Sequence, residues 1–214
     1  MKVLIACEHS GIVRDAFRSL GYDAISCDLL PSEKEGPHYQ GNVKDILYDG
    51  WDLMIAHPPC TYLASSGLHW NRKIPGRERE TEKALEFVRL LLNAPIPYIA
   101  IENPVGKIGT AIRKADQYIQ PYEFGEDASK KTGLWLKNLP KLKSTKRVHG
   151  RMVEYNGKMV ERWSNQCDSG QNRLGPSEDR GQKRSYTYQG VADAMASQWG
   201  KYVIERKYGA WIKQ

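Results

Sequence analysis

Cys60 is the residue of this sequence whose type and setting point most directly to chemistry. It follows Pro58 and Pro59 at the end of an apolar run, in the stretch HPPCTYLASSG of residues 57–67. Proline fixes φ and lacks a backbone N–H, so a Pro-Pro pair ends a strand and holds the next residue in a stiff, extended loop. Thiols serve in proteins as nucleophiles, as metal ligands or as small buried side chains. These eleven residues alone leave the three roles open.

The positions of the other cysteines argue against a metal or a disulfide. Cys7, Cys27 and Cys167 are widely scattered, no C-x-x-C pair occurs, and no histidine stands at ligand spacing. Structural zinc sites and small disulfide frameworks both need such spacings. We therefore expect reduced thiols and no metal.

A second candidate site follows the first apolar run, KVLIAC. The next residues, CEHSG, include Ser10 and Gly11, which allow a backbone to approach a ligand closely before a helix begins. Asp28 ends the following strand-like run, where a carboxylate can accept hydrogen bonds from both hydroxyls of a ribose. Asp45, in GNVKDIL, precedes the third such run and suits an adenine amino group. Each acid alone also fits a helix cap or a solvated loop.

The fingerprints of phosphate binding are missing from this first loop. The sequence has no G-x-G-x-x-G and no G-K-[ST]. Ligands of open α/β sheets bind where loops leave the carboxyl ends of the strands. A nucleoside cofactor without a phosphate chain, such as S-adenosylmethionine, therefore fits this loop better than NAD or ATP.

The charge of the chain favours a polyanionic partner. Lysine and arginine total 32 against 25 acidic residues, a formal net charge of +7. The stretch KNLPKLKSTKRVHGR, residues 137–151, carries six of these cations and no carboxylate, so that binding a phosphate backbone there would release counterions. A solvated loop has a similar composition, but we favour nucleic acid.

Length and hydropathy predict one globular domain, or one such domain with a small appendage, and no membrane span. The 214 residues are enough to bury a core without disulfides, and no apolar run reaches the length of a transmembrane helix. Met1 leads straight into KVLIAC with no secretory leader. We expect a soluble, cytoplasmic protein.

Alternating short apolar runs and helical stretches predict an α/β fold with a mainly parallel sheet and helices on both faces. The predicted buried strands are KVLIAC, AISCD, LMIAHP and YIAIENP, with GLWLKNL as a fifth. The predicted helices are GIVRDAFRSLG, which ends at Gly21, and GRERETEKALEFVRLLLNAP, which ends at Pro95.

The last third of the chain contains a hairpin pattern and a final helix. MVEYNGKMVERW has Asn-Gly between two alternating runs, which predicts a β-hairpin. TYQGVADAMASQWGKYV predicts a helix, and the polar, glycine-rich stretch between them predicts a loop. Arg173, Arg180 and Arg184 of this loop are further candidates for phosphate contact. We expect a core over residues 1–150, a small hairpin and loop insertion over 151–187, and over 188–214 a C-terminal helix that packs back on the core.

These residues, in this order, resemble the landmarks of the DNA (cytosine-5) methyltransferase family. CEHSG is similar to the family's first cofactor loop, Asp28 to its ribose-binding acid and KDI to its Gly-Asp-Ile element. HPPC is similar to its Pro-Pro-Cys nucleophile loop, and IENPVG to its Glu-Asn-Val element. FGEDASKKTGLWL resembles more weakly its Gln-Arg-x-Arg strand, with Lys130 and Lys131 in place of the arginines. RSYTYQGVADAMASQWG is similar to the ends of small phage and prophage members.

The sequence also departs from the family pattern. The first loop lacks the family's paired glycines, Thr61 stands where glutamine usually follows the nucleophile, and Pro104 replaces valine. Residues 138–187 leave no room for a large target-recognition domain.

The resemblance implies a Rossmann-like methyltransferase fold that transfers a methyl group from S-adenosylmethionine to carbon 5 of cytosine in DNA. Carbon 5 is a poor nucleophile, so a thiolate must first add at carbon 6, the role implied for Cys60. Glu102 is then the protonated carboxyl that donates to N3. The implied cofactor contacts are Cys7, Glu8, Ser10, Gly11, Asp28, Asp45 and Pro58. The expected nucleic-acid contacts are Lys130, Lys131, Lys141, Lys143, Lys146 and Arg147.

Other functions stay open at this point. Methylation of tRNA or of a free pyrimidine nucleotide would remove the need for a recognition domain, and a nucleic-acid-binding regulator would keep the fold without the reaction. A protein partner or a second copy of the chain could supply target recognition. His57, before the prolines, either tunes the thiolate or simply packs.

Overall fold

A seven-stranded sheet runs through the centre of the computed structural model, which describes residues 1–175 and 185–209. In spatial order the strands are β3-β2-β1-β4-β5-β7-β6. Their bounds are β1 Lys2–Ala6, β2 Asp23–Asp28, β3 His38–Gln40, β4 Leu53–Ala56, β5 Tyr98–Pro104, β6 Gln117–Ile119 and β7 Thr132–Lys137.

Strand direction confirms the predicted fold class. The five strands β1 to β5 are all parallel to one another, whereas β7 is antiparallel to β5 and to β6. A mainly parallel sheet of this order, with one antiparallel strand near its edge and helices on both faces, is a Rossmann-like α/β fold. Its carboxyl edge is where such sheets bind ligands.

Buried side chains on both faces explain why the strands are nearly continuous apolar runs. In β1, Val3 and Ile5 belong to one core cluster, and Leu4 and Ala6 belong to the other. This period of two is what a strand covered by helices on both faces requires.

The helices form two layers around the sheet. Helix α1, Ile12–Ser19, packs against one face, and α3, Arg77–Leu92, packs against the other. Shorter helical segments are α2 Ser65–Leu68, which continues into a 3₁₀ turn at His69–Arg72, α4 Ile108–Ala111, and 3₁₀ turns at Val43–Asp45 and Pro121–Glu123.

The predicted C-terminal helix packs against α1. It consists of α5 Gln189–Ala194, a π-helical turn Met195–Trp199 and α6 Gly200–Tyr208. Trp199 is completely buried, and its Nε1 donates to the carbonyl oxygen of Pro140 at 2.9 Å. No helix within residues 1–175 and 185–209 is long and apolar enough to cross a membrane.

The predicted hairpin is also confirmed. β8 Arg151–Tyr155 and β9 Lys158–Arg162 pair in a separate antiparallel sheet. Asn156 and Gly157 form the turn with φ of 51° and 72°, the left-handed geometry that suits a two-residue hairpin. After the hairpin, the ring of Trp163 stacks on Tyr122 at 3.9 Å. Arg180 and Arg184 lie outside the described residues.

The sequence reading missed two strands. β3 and β6 have three residues each and lie at the two edges of the sheet. Their sequences, HYQ and QYI, are too short and too polar for an apolar periodicity to appear.

Candidate active site

Three neighbouring strands, β1, β4 and β5, each bring one residue to the same place at the carboxyl edge of the sheet. Ala6 of β1 is in register with Ala56 of β4, which is in register with Ile101 of β5. Cys7 and His57 directly follow β1 and β4, and Glu102 is the next residue along β5. These three residues therefore meet at one cleft. The cleft has about 520 Å³ of empty space, open to solvent, and is lined by Cys7, Glu8, His9, Ser10, His57, Pro58, Pro59, Cys60, Glu102, Asn103, Pro104, Lys130, Ser185, Tyr186 and Thr187.

Cys60 lies on the wall of this cleft, half-buried. The last ladder bond of β4 runs from the His57 N–H to the Ala6 carbonyl oxygen at 2.9 Å, after which the two prolines cannot donate. The Asn103 side-chain amide donates to the Pro58 carbonyl oxygen at 2.7 Å and ties this loop to β5. The Cys60 carbonyl oxygen accepts from Leu63 and Ala64, which closes a turn behind it. Cys60 is thus held at the wall of the cleft rather than packed in the interior.

Glu102 is a buried carboxylate next to a buried histidine. Its Oε2 lies 3.0 Å from Nδ1 of His57. Burial disfavours the charged form of Glu102, but the His57 hydrogen bond, the positive charge of Lys130 and the Thr132 hydroxyl together hold the pKa of Glu102 below its usual value. Without a bound substrate, Glu102 is therefore ionised at neutral pH.

Glu8 has a structural role at the start of α1. Its Oε1 accepts from the Val13 N–H at 2.7 Å and its Oε2 from the Arg14 N–H at 3.2 Å. Gly11, just before the helix, has a φ of 72°, which lets the chain turn back toward Glu8. Because a carboxylate of the protein already compensates this helix terminus, the position where a dinucleotide phosphate would bind is taken. This agrees with the absence of a phosphate fingerprint.

Asp28 and Asp45 do not line the cleft. Asp28 Oδ1 accepts from the Leu30 N–H at 3.0 Å, and Asp45 Oδ2 accepts from the Tyr39 hydroxyl at 3.2 Å. Burial, with the negative charges of Asp28 and Asp45, raises the pKa of Cys27 to about 12, so both acids are near that thiol.

Cys7 connects Asp28 to the cleft. It lines the cleft, and burial together with the charge of Asp28 raises the pKa of its thiol. Leu29, next to Asp28, is 72% exposed. Two carboxylates, an exposed apolar side chain and an occupied helix terminus fit a nucleoside cofactor that has no phosphate.

The six predicted nucleic-acid contacts do not form one patch. Lys130 is the only one of them that lines the cleft, and its Nζ donates to the Tyr186 carbonyl oxygen at 3.1 Å. Lys131 is exposed, with Nζ 4.9 Å from the centre of the Tyr118 ring. The other four are exposed along the outer edge of the sheet beside β6: Lys141, Lys143, Lys146 and Arg147.

The ends of this outer segment are fixed by specific contacts. The Leu142 N–H donates to Gln117 at the start of β6, which places Lys141 and Lys143 near the amino edge of that strand. Lys146 bridges to Phe124, beyond the end of β6. Arg147 is paired with Glu161 at 2.8 Å.

One surface of the cleft, and one segment that follows Cys60 in the chain, escaped the sequence reading. Tyr186 lines the cleft, and its hydroxyl donates to Glu33 at 2.5 Å, which brings residues 185–187 across the first loop. The segment 61–77, directly after Cys60, has no acidic residue. Within it Trp70 is 45% exposed, with Lys73 Nζ 5.1 Å from the ring centre. A basic run interleaved with an aromatic residue was the available signal.

Comparison with known proteins gives fold-level likenesses. No protein-family model matches the sequence, and no curated protein matches it. Similar solved structures include a prophage-encoded E. coli protein assigned as a DNA modification methyltransferase, at 14% identity and a TM-score of 0.43, over 64% of this chain and 46% of that chain. The Dnmt2 methyltransferase of S. pombe is similar at 18% identity and a TM-score of 0.42, over 66% and 50%.

A third similar structure is the EhMeth methyltransferase of Entamoeba histolytica, at 17% identity and a TM-score of 0.47, over 70% of this chain and 58% of that chain. The chain spans about half the length of these three proteins. The function proposed below rests on the residues of this chain.

Proposed function

We propose that this chain transfers a methyl group from S-adenosylmethionine to carbon 5 of cytosine in DNA, through a covalent bond between Cys60 and carbon 6. The observation that carries the proposal is that a cysteine behind two prolines and a buried glutamate line the same cleft. We also propose that the protein is similar in type to the small DNA methyltransferases of phages and prophages. Its expected location is the cytoplasm.

The reaction begins at Cys60. Its thiolate forms a bond to carbon 6, which pushes electrons from the ring double bond toward carbon 5 and N3. A proton delivered to N3 by Glu102 neutralises the developing charge. S-adenosylmethionine, when bound, supplies the electrophilic methyl group. Loss of the carbon 5 proton then expels the Cys60 sulfur and restores the aromatic ring.

Glu102 must gain a proton before it can donate one. Its contacts keep it ionised in the free protein. A base stacked in the cleft excludes water and removes solvation from the carboxylate, which raises its pKa. We therefore expect Glu102 to take up a proton as the pyrimidine binds.

The cofactor would lie between β1 and β2. Asp28 would accept from the ribose hydroxyls and Asp45 from the adenine amino group, with Cys7, Ser10, Gly11 and Pro58 along its path. Glu8 would act indirectly, by fixing the start of α1. This assignment is supported by the closeness of Asp28 to Cys7, which lines the cleft, and of both acids to Cys27.

DNA is the substrate favoured by charge. The net charge of +7 and the acid-free segment 61–77 favour a phosphate backbone beside Cys60. A target cytosine in a duplex must be flipped out of the stack, which costs a few kcal/mol that backbone contacts have to offset. Lys130, Lys131, Lys141, Lys143, Lys146 and Arg147 remain the candidate contacts in addition.

The test is transfer of a labelled methyl group. The full chain is incubated with labelled S-adenosylmethionine and either duplex DNA, single-stranded DNA, tRNA or dCMP. We expect label in cytosine of DNA and loss of all measurable transfer in Cys60→Ser. The matched control is Cys167→Ser, another half-buried cysteine that does not line the cleft. Label in tRNA or dCMP alone would show that DNA is not the substrate. A Cys60→Ser protein as active as wild type would overturn the mechanism.

A further inference from the structure

His57 is a titratable group in the cleft that the proposed reaction does not yet use. Its side chain is only 9% exposed and lies where β4 meets the Pro-Pro-Cys loop. Nδ1 lies 3.0 Å from Glu102 Oε2. Nε2 is buried and has no hydrogen-bond partner among the described residues. The two nitrogens of this ring therefore have very different surroundings.

These surroundings determine which nitrogen carries the proton. An ionised carboxylate only accepts hydrogen bonds, so Nδ1 must be the donor to Glu102. A proton on Nε2 would be a buried N–H without an acceptor, which is unfavourable. The neutral ring protonated on Nδ1 is the form that satisfies both conditions. Such fixing of a tautomer by a carboxylate is how histidine side chains are oriented in many sites.

We propose that His57 is a positioning residue for Glu102, which directs the carboxyl proton to the oxygen that faces the pyrimidine. The proposal rests on the proposed function, because the pyrimidine is its substrate. Since Nδ1–H already donates to Oε2, Oε1 is the oxygen available to hold a proton. Glu102 alone could carry its proton on either oxygen. The hydrogen bond from His57 to Oε2 disfavours a proton on that oxygen, from which it could not reach N3.

The proton balance is simple. When the Cys60 sulfur bonds to carbon 6, the electron pair of the C5=C6 bond shifts toward C4 and the C4=N3 pair moves to N3. The Oε1–H bond breaks and the N3–H bond forms. Glu102 returns to a carboxylate, which the Nδ1–H of His57 still holds. His57 neither gains nor loses a proton.

Other groups face the same carboxyl. Lys130, before β7, and Thr132, on β7, both favour the ionised form of Glu102, and Cys60 lies on the same cleft. After the opposing effect of burial, the hydrogen bond from His57 is the leading influence on the pKa of Glu102. Removing the His57 donor should therefore raise the pKa of Glu102, while Lys130 and Thr132 limit the rise.

Two substitutions separate the ring nitrogens. An asparagine amide nitrogen lies close to the position of Nδ1, whereas a glutamine amide nitrogen lies close to that of Nε2. His57→Asn thus keeps a donor toward Glu102 and His57→Gln moves it away. The matched control is His149→Gln, whose side chain is 78% exposed and outside the cleft. Thermal unfolding of each variant is the check that it is folded.

Three measurements on the full chain test the proposal. Nitrogen-15 NMR gives the tautomer of His57, carbon-13 NMR gives the pKa of Glu102, assigned by the signal lost in Glu102→Gln, and labelled methyl transfer to DNA gives kcat and KM across pH. We expect an Nδ1–H ring, a higher pKa of Glu102 in His57→Gln, and a fall in kcat of about tenfold to a hundredfold. His57→Asn should recover most of that loss, and KM for the cofactor should not change.

A proton on Nε2, a pKa of Glu102 that does not move in His57→Gln, or a wild-type kcat in that variant would each overturn the proposal. The two NMR measurements need no substrate. If the wild-type protein methylates nothing, the proposed function fails, and the tautomer and the pKa of Glu102 still decide whether His57 positions the carboxyl group. If His57→Gln does not fold, the tautomer in the wild type decides it.

Discussion

The two halves of the cleft are held together in different ways. In the reaction half, side chains bond across strands: His57 to Glu102 at 3.0 Å, and Asn103 to the carbonyl oxygen of Pro58 at 2.7 Å. In the cofactor half, Asp28 and Asp45 bond to residues close to them in the chain, Leu30 and Tyr39, and Asp45 is exposed.

This difference indicates how each half works. Buried, cross-strand hydrogen bonds fix the reacting groups before any substrate arrives, which is the arrangement that lowers a reaction barrier most. The cofactor half offers carboxylates that gain their remaining contacts from a ligand. Substitutions in the reaction half should therefore lower kcat and stability together, whereas substitutions in the cofactor half should weaken cofactor binding and leave stability nearly unchanged.

The largest effect is expected at Asn103. Asn103→Ala leaves the buried Pro58 carbonyl without its donor and loosens the Cys60 loop. We expect kcat for methyl transfer to fall by about a hundredfold, and the free energy of unfolding to fall by about 1–3 kcal/mol. Steady-state kinetics and urea denaturation measure the two quantities.

Asn138→Ala is the matched control for Asn103. Asn138 also donates its amide to a proline carbonyl oxygen, that of Pro97 at 2.9 Å. It follows β7 at Lys137, which pairs with Ile99 near the start of β5, and so lies at the opposite edge of the sheet. This variant should lose stability but keep kcat. A wild-type kcat in Asn103→Ala would show that the bond to Pro58 is not needed for the reaction. The two edges of the sheet would then not differ in their effect on kcat.

A different response is expected from Asp28. Asp28→Asn weakens the hydrogen bonds to a ribose, and a charged hydrogen bond contributes about 1.5–3 kcal/mol. The Kd for S-adenosylmethionine should rise by about tenfold to a hundredfold, with little change in unfolding free energy. Calorimetric titration measures the Kd. Asp23→Asn, at the other end of β2, is the control that should bind normally. Equal Kd values for the two variants would exclude Asp28 from the cofactor site.

The sequence predicted the core of this arrangement well. The runs LMIAHP and YIAIENP are buried strands, β4 and β5, and their pairing brings Cys60 and Glu102 to one cleft as expected for neighbouring parallel strands. Strong apolar runs carry this information locally. The Asn-Gly hairpin was predictable for the same reason.

The contacts within the site were not predictable in this way. His57 and Glu102 are 45 residues apart, and nothing local indicates that their side chains meet. Glu8 was expected to bind the cofactor from its place in the first loop, whereas its carboxylate bonds to the start of α1. The basic stretch 137–151 looked like one patch because charge was counted along the chain, while the chain there runs along the edge of the sheet.

A smaller effect is expected from the pH dependence of stability. The folded pKa of Glu102 lies below its unfolded value of about 4.5, so its ionisation stabilises the fold above that pH and the contribution is lost as pH falls through the lower folded pKa. Glu102→Gln lacks this contribution. The stability of wild type relative to Glu102→Gln should therefore decline as the pH falls from about 4.5 through the lower folded pKa of Glu102. If the stability of wild type relative to Glu102→Gln increased as the pH falls, folding would raise the pKa of Glu102 instead of lowering it.

The most direct measurement is a search for the covalent bond itself. The full chain is incubated with S-adenosylmethionine and DNA that contains 5-fluorocytosine, which has no carbon 5 proton to lose and so traps the enzyme on the base. Digestion and mass spectrometry should find the nucleotide on the peptide that contains Cys60, and no adduct in Cys60→Ser. Methyl transfer to ordinary cytosine by a protein that never forms this adduct, or an adduct on another residue, would contradict a reaction at Cys60.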